Sequence, residues 1–265
     1  MTATTTTVIS DPTTVSEPVA AGNGVPDLTG DTCRPRSTPV NFSDVIADRR
    51  SVHDYADENL DHETVEEILA DATLAPSSFN LQPWEFVVVS EDDDRERLQE
   101  VAYGQPHVTD APVVLAVLGN LDPSAHVDRV LDDQVEKGYR TEEGAEATRE
   151  SVEGMADLPE TERRVWSTKS TALAASQLML AARARGVASC PMGGFDPEAL
   201  VEEFGVPEGY EPVMLITLGY PAEDADDEQL PRKFRRSVEE VAHWGGFEAA
   251  DETDAKTAEP VTDDD

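Results

Sequence analysis

The sequence predicts an α+β fold, and three patterns carry that prediction. Helical segments are interspersed with short apolar strands, yet the strands do not recur at the regular intervals of a βαβ repeat. The strands expected at 85–90, 111–119 and 212–219 are continuous apolar runs, as in a sheet covered on both faces. The longest helix, 161–185, is apolar nearly all round between 172 and 182 apart from Ser176 and Gln177, which suits a core or a subunit interface.

Residues 1–39 are rich in Thr, Pro, Gly and Asp and poor in large apolar groups, and 250–265 are acidic. Neither stretch buries enough surface to offset its ordering entropy, so both are expected to be disordered tails around one domain, 40–249. Within that domain Asn41 or Ser43 caps a first helix carrying Phe42, Val45 and Ile46, which ends at Arg49-Arg50-Ser51. Asp61 caps a second, with Val65, Ile68, Leu69 and Ala72 on one face. Pro76 and Pro83 then remove two backbone donors, so the helix stops near Ala75 and a strand starts near Trp84. A helix over 92–103 separates the first two strands. The charged, weakly periodic stretch 121–156 reads as surface helices able to form a lid. Gly186 ends the long helix, a short strand follows over 187–190, Pro191-Met192-Gly193-Gly194 forms a loop, and Asp196 caps a helix to Phe204.

Lys and Arg number 20 against 56 Asp and Glu, for a formal net charge of -36. Nucleic acid and anionic membrane surfaces, which require clustered cations, are excluded as partners. Carboxylates spread along the whole chain match a surface adapted to high salt, where screening relieves self-repulsion; an acid-binding partner is the weaker alternative. Cys33 lies in the N-terminal tail, so no structural disulfide with Cys190 is expected. No apolar run approaches a membrane span and the N-terminus lacks the features of a signal peptide, which makes the cytoplasm the expected location.

Two loops and two cation clusters are the candidates for chemistry. Ser77, Ser78, Asn80 and Gln82 between the prolines offer uncharged donors and acceptors to a neutral, planar ligand, or simply form a capped turn. Gly193 and Gly194 allow close backbone approach to a flat group. In so acidic a chain, Arg49-Arg50 and Arg232, Lys233, Arg235 and Arg236 either hold a phosphate or pair with surface carboxylates. The five histidines show no metal-ligand spacing with the cysteines, so no zinc site is expected. Gly-x-Ser-x-Gly and Gly-x-Gly-x-x-Gly motifs are both absent.

Taken in order, Arg49-Arg50-Ser51-Val52-His53, Pro76-Ser77-Ser78-Phe79-Asn80-Leu81-Gln82-Pro83-Trp84, Ser189 to Asp196 and Lys233-Phe234-Arg235-Arg236 resemble the FMN-binding segments of the nitroreductase family. The resemblance implies a homodimeric three-layer sandwich, with a mostly antiparallel central sheet flanked by helices and two FMN sites at the subunit interface. It implies that Arg49, Lys233 and Arg235 grip the FMN phosphate, assisted by Arg50 and Ser51. Asn80 then bonds the flavin edge, Pro76, Ser77 and Ser78 reach in from the partner subunit, and backbone N–H groups of Gly193 and Gly194 face the ring. Gln82, Pro191 and Met192 complete the expected cofactor set, with His53 beside the pyrimidine end.

Two positions depart from the family pattern: His53 stands where many members carry Lys or Arg, and Gly193 where some carry Glu. A fixed cation about 4 Å from a reduced flavin contributes on the order of 4 kcal/mol at an effective dielectric of 20. A histidine supplies that charge only while protonated, so the flavin potential is expected to depend on pH. The implied activity is transfer of hydride from NADH or NADPH through FMN to a small electron-poor acceptor, a nitroaromatic or quinone, in a ping-pong cycle. No side chain is required as acid or base, so no catalytic residue is assigned. A non-catalytic flavin-binding or sensing protein, and a relative that reduces a specific metabolite, are the competing readings.

Overall fold

The computed structural model describes residues 41–247 apart from 224 and 226–229, so the expected tails lie outside the described residues. Helix α1 (Phe42–Asp48) is capped by Asn41, whose side chain accepts from the Ser43 N–H. Helix α2 (His62–Ala72) is capped by Asp61, which accepts from Thr64. It ends three residues before Ala75 because the N–H groups of Leu74 and Ala75 turn back onto the carbonyls of Asp71 and Ala72. A 3₁₀ turn, Ser78–Asn80, leads into β1 (Trp84–Val89). Helix α3 (Asp92–Val101) stops short of its expected end, since Tyr103 and Gly104 both take left-handed backbone. A single turn, α4 (His107–Asp110), precedes β2 (Val113–Asn120).

The charged stretch after β2 forms α5 (Val127–Glu136) and α6 (Glu142–Ala156). Val127 and Leu131 of α5 and Ala145 and Val152 of α6 enclose Leu81 in a small core of their own. Arg149 ties the pair from outside through Asp128 and Glu146. Helix α7 (Glu160–Ala184) buries Thr171, Ala174, Ala175, Leu178, Ala181 and Ala182 along one face, while Leu173 and Ser176 look outward. The apolar composition of its middle therefore splits into a core face and an exposed one. Arg185 at its end pairs with Glu67 and Asp71 of α2, at 3.1 and 2.7 Å.

Two strands run past their expected limits. β3 (Ala188–Met192) continues through Pro191, which the sequence reading placed in a loop; an edge strand tolerates the missing N–H. β4 (Tyr210–Gly219) begins before Pro212, and its register against β2 shifts between Val117 and Leu118. Met214 faces Val117 and Pro212 faces Leu118, leaving Val213 as the extra residue of a bulge that accommodates the proline. Helix α8 (Pro197–Glu203) is capped by Asp196 as expected.

All strands pair antiparallel in the order β1-β2-β4-β3. Alternation along β2 builds a layer on either face. Val113, Leu115 and Val117 pack with Ile216 and Leu218 against α2 and α7. Val114, Ala116 and Leu118 pack with Leu215 against α3, α4 and α8. The result is the expected three-layer sandwich.

Gly219 closes β4 where no side chain fits: a Cβ there would lie 2.6 Å from Pro112 Cδ and 2.8 Å from Tyr55 Cδ1. Tyr55 in turn hydrogen-bonds the Val52 carbonyl at 2.8 Å and Thr217 Oγ1 at 2.6 Å. Gly219→Ala is expected to cost about 1–3 kcal/mol as an overpacking change. That lowers the thermal midpoint by about 2–4 °C per kcal/mol. A melt that does not move would show that Tyr55 and Pro112 yield without cost.

Candidate functional site

The segment after α1 leaves the helix extended and joins the sheet. Ser51 makes an isolated parallel bridge with Ser189 of β3, and the Val52 N–H donates to the Ser189 carbonyl at 3.2 Å. Val52 is buried, so Arg49, Arg50 and Ser51 are fixed on one side of it and His53 on the other. Residues 230–235 return alongside. Arg232 donates to the carbonyls of Ile46 and Ala47, which caps the C-terminal end of α1, and Arg50 donates to the Leu230 carbonyl.

Arg49, Arg50, Ser51, Arg232, Lys233 and Arg235 thereby line a cavity of about 90 Å³ with Leu230 and Pro231. Its described lining holds five cations and no carboxylate. The Arg49 guanidinium is held below its ordinary pKa first by burial and then by the charges of Arg232 and Arg235. A chain with such an excess of acid has nonetheless concentrated positive charge here, an arrangement suited to an anion.

Gly193 and Gly194 leave β3 exposed, and a Cβ on Gly193 would meet nothing within 4 Å. The Gly194 carbonyl accepts from Gln105 Nε2 at 2.6 Å, which ties this turn to the segment before α4. That tether brings His107 toward β3. His53 Nε2 lies 3.5 Å from Cys190 Sγ, and the His53 and His107 rings meet edge to face at 5.0 Å. Burial, helped by the neighbouring His53, holds His107 below the usual imidazole pKa, with Asp110 pulling the other way. His53, His107 and Cys190, which show no metal-ligand spacing along the sequence, converge in space.

The loop before β1 is built differently. Phe79, Asn80 and Gln82 all have positive φ, at 53°, 62° and 48°. Asparagine accepts the left-handed region; phenylalanine and glutamine do so at a cost. Ser77 Oγ accepts from the Gln82 N–H at 3.0 Å, Gln82 Nε2 donates to the Asn80 carbonyl at 3.1 Å, and buried Leu81 anchors the loop against α5 and α6. Pro76, Ser78, Phe79 and Asn80 remain exposed. Asn80 and Gln82 open onto a cavity of about 530 Å³ bounded by Trp84, Arg129 and Asp133. Ser78 faces another, with Trp166 and Lys169.

The expected site residues therefore form two groups. Arg49 to His53, Pro191 to Gly194 and the 233–235 segment gather at β3, whereas Pro76, Ser77, Ser78, Asn80 and Gln82 precede β1. Strands β1 and β3 are opposite edges of the sheet with two strands between them. At about 4.8 Å per strand that is a separation of roughly 14 Å.

Residues 46–220 match the model of the Nitroreductase family. The chain belongs to the nitroreductase family. It is 37% identical over 199 residues to a Thermus thermophilus protein named NADH dehydrogenase, covering 74% of this chain and 92% of that one. It is 34% identical to the Bacillus subtilis protein named "Putative NAD(P)H nitroreductase YodC", covering 77% and 99%. The solved structure of an Exiguobacterium sibiricum protein in complex with FMN is 30% identical, covers 78% of this chain and 98% of its own, and superposes with a TM-score of 0.70. Membership makes this nitroreductase an NAD(P)H-dependent flavin oxidoreductase with FMN as its cofactor. The cation cavity fits the phosphate of that cofactor, and the open backbone at Gly193 fits the approach of a flat ring.

Sequence reasoning missed His107, the Gln105 tether and the structural use of Arg232. None had a local signal, because each acts across a turn or strand pairing that the chain makes only once folded.

Proposed function

We propose that this nitroreductase works as a homodimer that passes reducing equivalents from NADH or NADPH to small electron-poor acceptors such as nitroaromatics or quinones. The observation that supports this reading is the gathering of five cations, Arg49, Arg50, Arg232, Lys233 and Arg235, around one cavity in a chain of net charge -36. Arg49, Lys233 and Arg235 hold the phosphate as charge-assisted donors, with Arg50 and Ser51 alongside. Arg232 keeps that segment docked on α1. Pro191 and Met192 set the direction of the Gly193-Gly194 turn, and His53 stands at the other side of Val52. When bound, FMN supplies the hydride chemistry, with nicotinamide and acceptor using one pocket in turn.

The loop residues Pro76, Ser77, Ser78, Asn80 and Gln82 complete the site from the second copy, since one chain holds them at the opposite sheet edge. Exposed apolar groups support a second copy: Phe42 of α1 is 64% exposed, Leu173 of α7 49%, and Phe234 76%. Among the described residues no helix is long and apolar enough to cross a membrane. The expected setting remains the cytoplasm.

The test is an absorbance spectrum of the full chain in high-salt buffer, taken anaerobically before and after NADH or NADPH. A flavin spectrum that bleaches, then recovers on adding a quinone or nitroaromatic, is the expected result. A flavin that stays oxidised would leave a binding protein, and a colourless protein that takes up no FMN would sink the cofactor assignment.

A further inference from the structure

Three segments far apart in the chain deliver one potential ligand each to a single point beside β3. His53 arrives on the strand-like segment bridged to Ser189, Cys190 lies on β3 itself, and His107 begins α4 after the Gln105 tether. Their ligand atoms all lie within 4.8 Å of one another. Cys190 is 4% exposed. His107 Nε2 is buried and has no hydrogen-bond partner among the described residues, a costly arrangement for an imidazole nitrogen.

We propose that His53, His107 and Cys190 bind one borderline-soft divalent metal ion, Zn²⁺ first among them. The donor set is two imidazoles and a thiolate, the combination such ions prefer over oxygen ligands. In tetrahedral zinc, bonds of about 2.3 Å to sulfur and 2.0 Å to nitrogen place the two donors roughly 3.5 Å apart. Cys190 Sγ and His53 Nε2 stand at 3.5 Å. His107 completes the set, and a metal bond to its Nε2 would satisfy that orphaned nitrogen. The fourth position is left to water or an exchangeable anion, as in zinc sites with three protein ligands.

The surrounding charges act in opposite senses. Arg49 is in electrostatic reach of Cys190, where it favours a negative sulfur and opposes the cation; Asp110 is in reach of His107 and favours the cation. Binding converts the thiol to a thiolate and releases its proton to solvent, with no change of oxidation state at sulfur or metal. Coordination through Nε2 also fixes the His53 tautomer with its proton on Nδ1. The site does not rest on the flavin reading, but it draws on the same His53: once metal-bound through Nε2 this ring stays neutral and cannot supply the pH-dependent charge expected beside the flavin.

The test uses the full chain, treated with a chelator and titrated with Co²⁺ and then Zn²⁺. We expect one equivalent of cobalt, a thiolate-to-cobalt charge-transfer band, ligand-field bands to the red of flavin absorption, and loss of both on adding Zn²⁺. Cys190→Ser is expected to abolish the charge-transfer band, and His107→Gln to weaken metal binding at least 10-fold, while circular dichroism shows both variants folded. Absence of the thiolate band in the wild type, or retention of full affinity in both folded variants, overturns the proposal and leaves a thiol–imidazole hydrogen bond. FMN content measured on the same samples keeps the two questions apart: yellow protein without cobalt bands fails this proposal alone, and colourless protein with them fails only the flavin reading.

Discussion

Arg49→Ala is expected to weaken FMN binding by roughly 10–100-fold, the loss of one charge-assisted hydrogen bond of about 1.5–3 kcal/mol. The same change is expected to leave the cofactor-free protein as stable as before or more so. Both signs follow from the cavity: burial and the charges of Arg232 and Arg235 already oppose the Arg49 guanidinium when no anion is present. A residue whose role is structural would move both measurements in the same direction. Arg49→Lys is expected to recover only part of the affinity, since it keeps the charge and loses the bidentate fork. Flavin fluorescence titration gives the affinity and a thermal melt of the FMN-free protein gives the stability. Unchanged affinity would remove Arg49 from the phosphate site.

Mixing two variants impaired in FMN binding is expected to restore activity when both are assayed at an FMN concentration too low to fill their damaged sites. Arg49→Ala and Asn80→Ala each damage a site, but they sit at opposite sheet edges. If each site takes Arg49 from one subunit and Asn80 from the other, a mixed dimer holds one wholly intact site and one carrying both defects. Random assembly makes half the dimers mixed, so about a quarter of wild-type activity returns. Were both residues to serve the same site from one chain, no dimer would contain an intact site and mixing would recover nothing. Co-expression with two different affinity tags, followed by assay of the doubly tagged species, gives the number directly. That species should carry about half the wild-type activity.

The three-layer architecture was readable because its signals are local or periodic. Continuous apolar runs at β2 and β4 pointed to cover on both faces, whereas β1, expected to be covered likewise, is an edge strand with Val88 43% exposed. Asn41, Asp61 and Asp196 announced helix starts through hydrogen bonds spanning only two or three residues. Strand ends were harder. Pro191 and Pro212 looked like breakers, yet one sits on an edge and the other beside a bulge, and neither context can be known before the strand order is. The cation cluster was visible because cations are scarce in this chain. The use of Arg232 to cap α1, while Arg49 lines the cavity, was not, since both are arginines in similar company. The His53–His107–Cys190 group needed a bridge to β3 and a glutamine tether, so no spacing rule could have found it.

The left-handed run at Phe79, Asn80 and Gln82 constrains how this enzyme can change. A β-branched residue at any of the three would meet a steric penalty before its chemistry was tested, whereas asparagine or glycine would be admitted. Random libraries built to widen the range of acceptors should therefore lose Val, Ile and Thr variants at these positions first. The walls of the adjoining cavity carry no such restriction: Arg129 and Asp133 lie on the regular helix α5. Heritable diversity in substrate choice is expected to accumulate on that helix, while the loop stays the more restricted of the two.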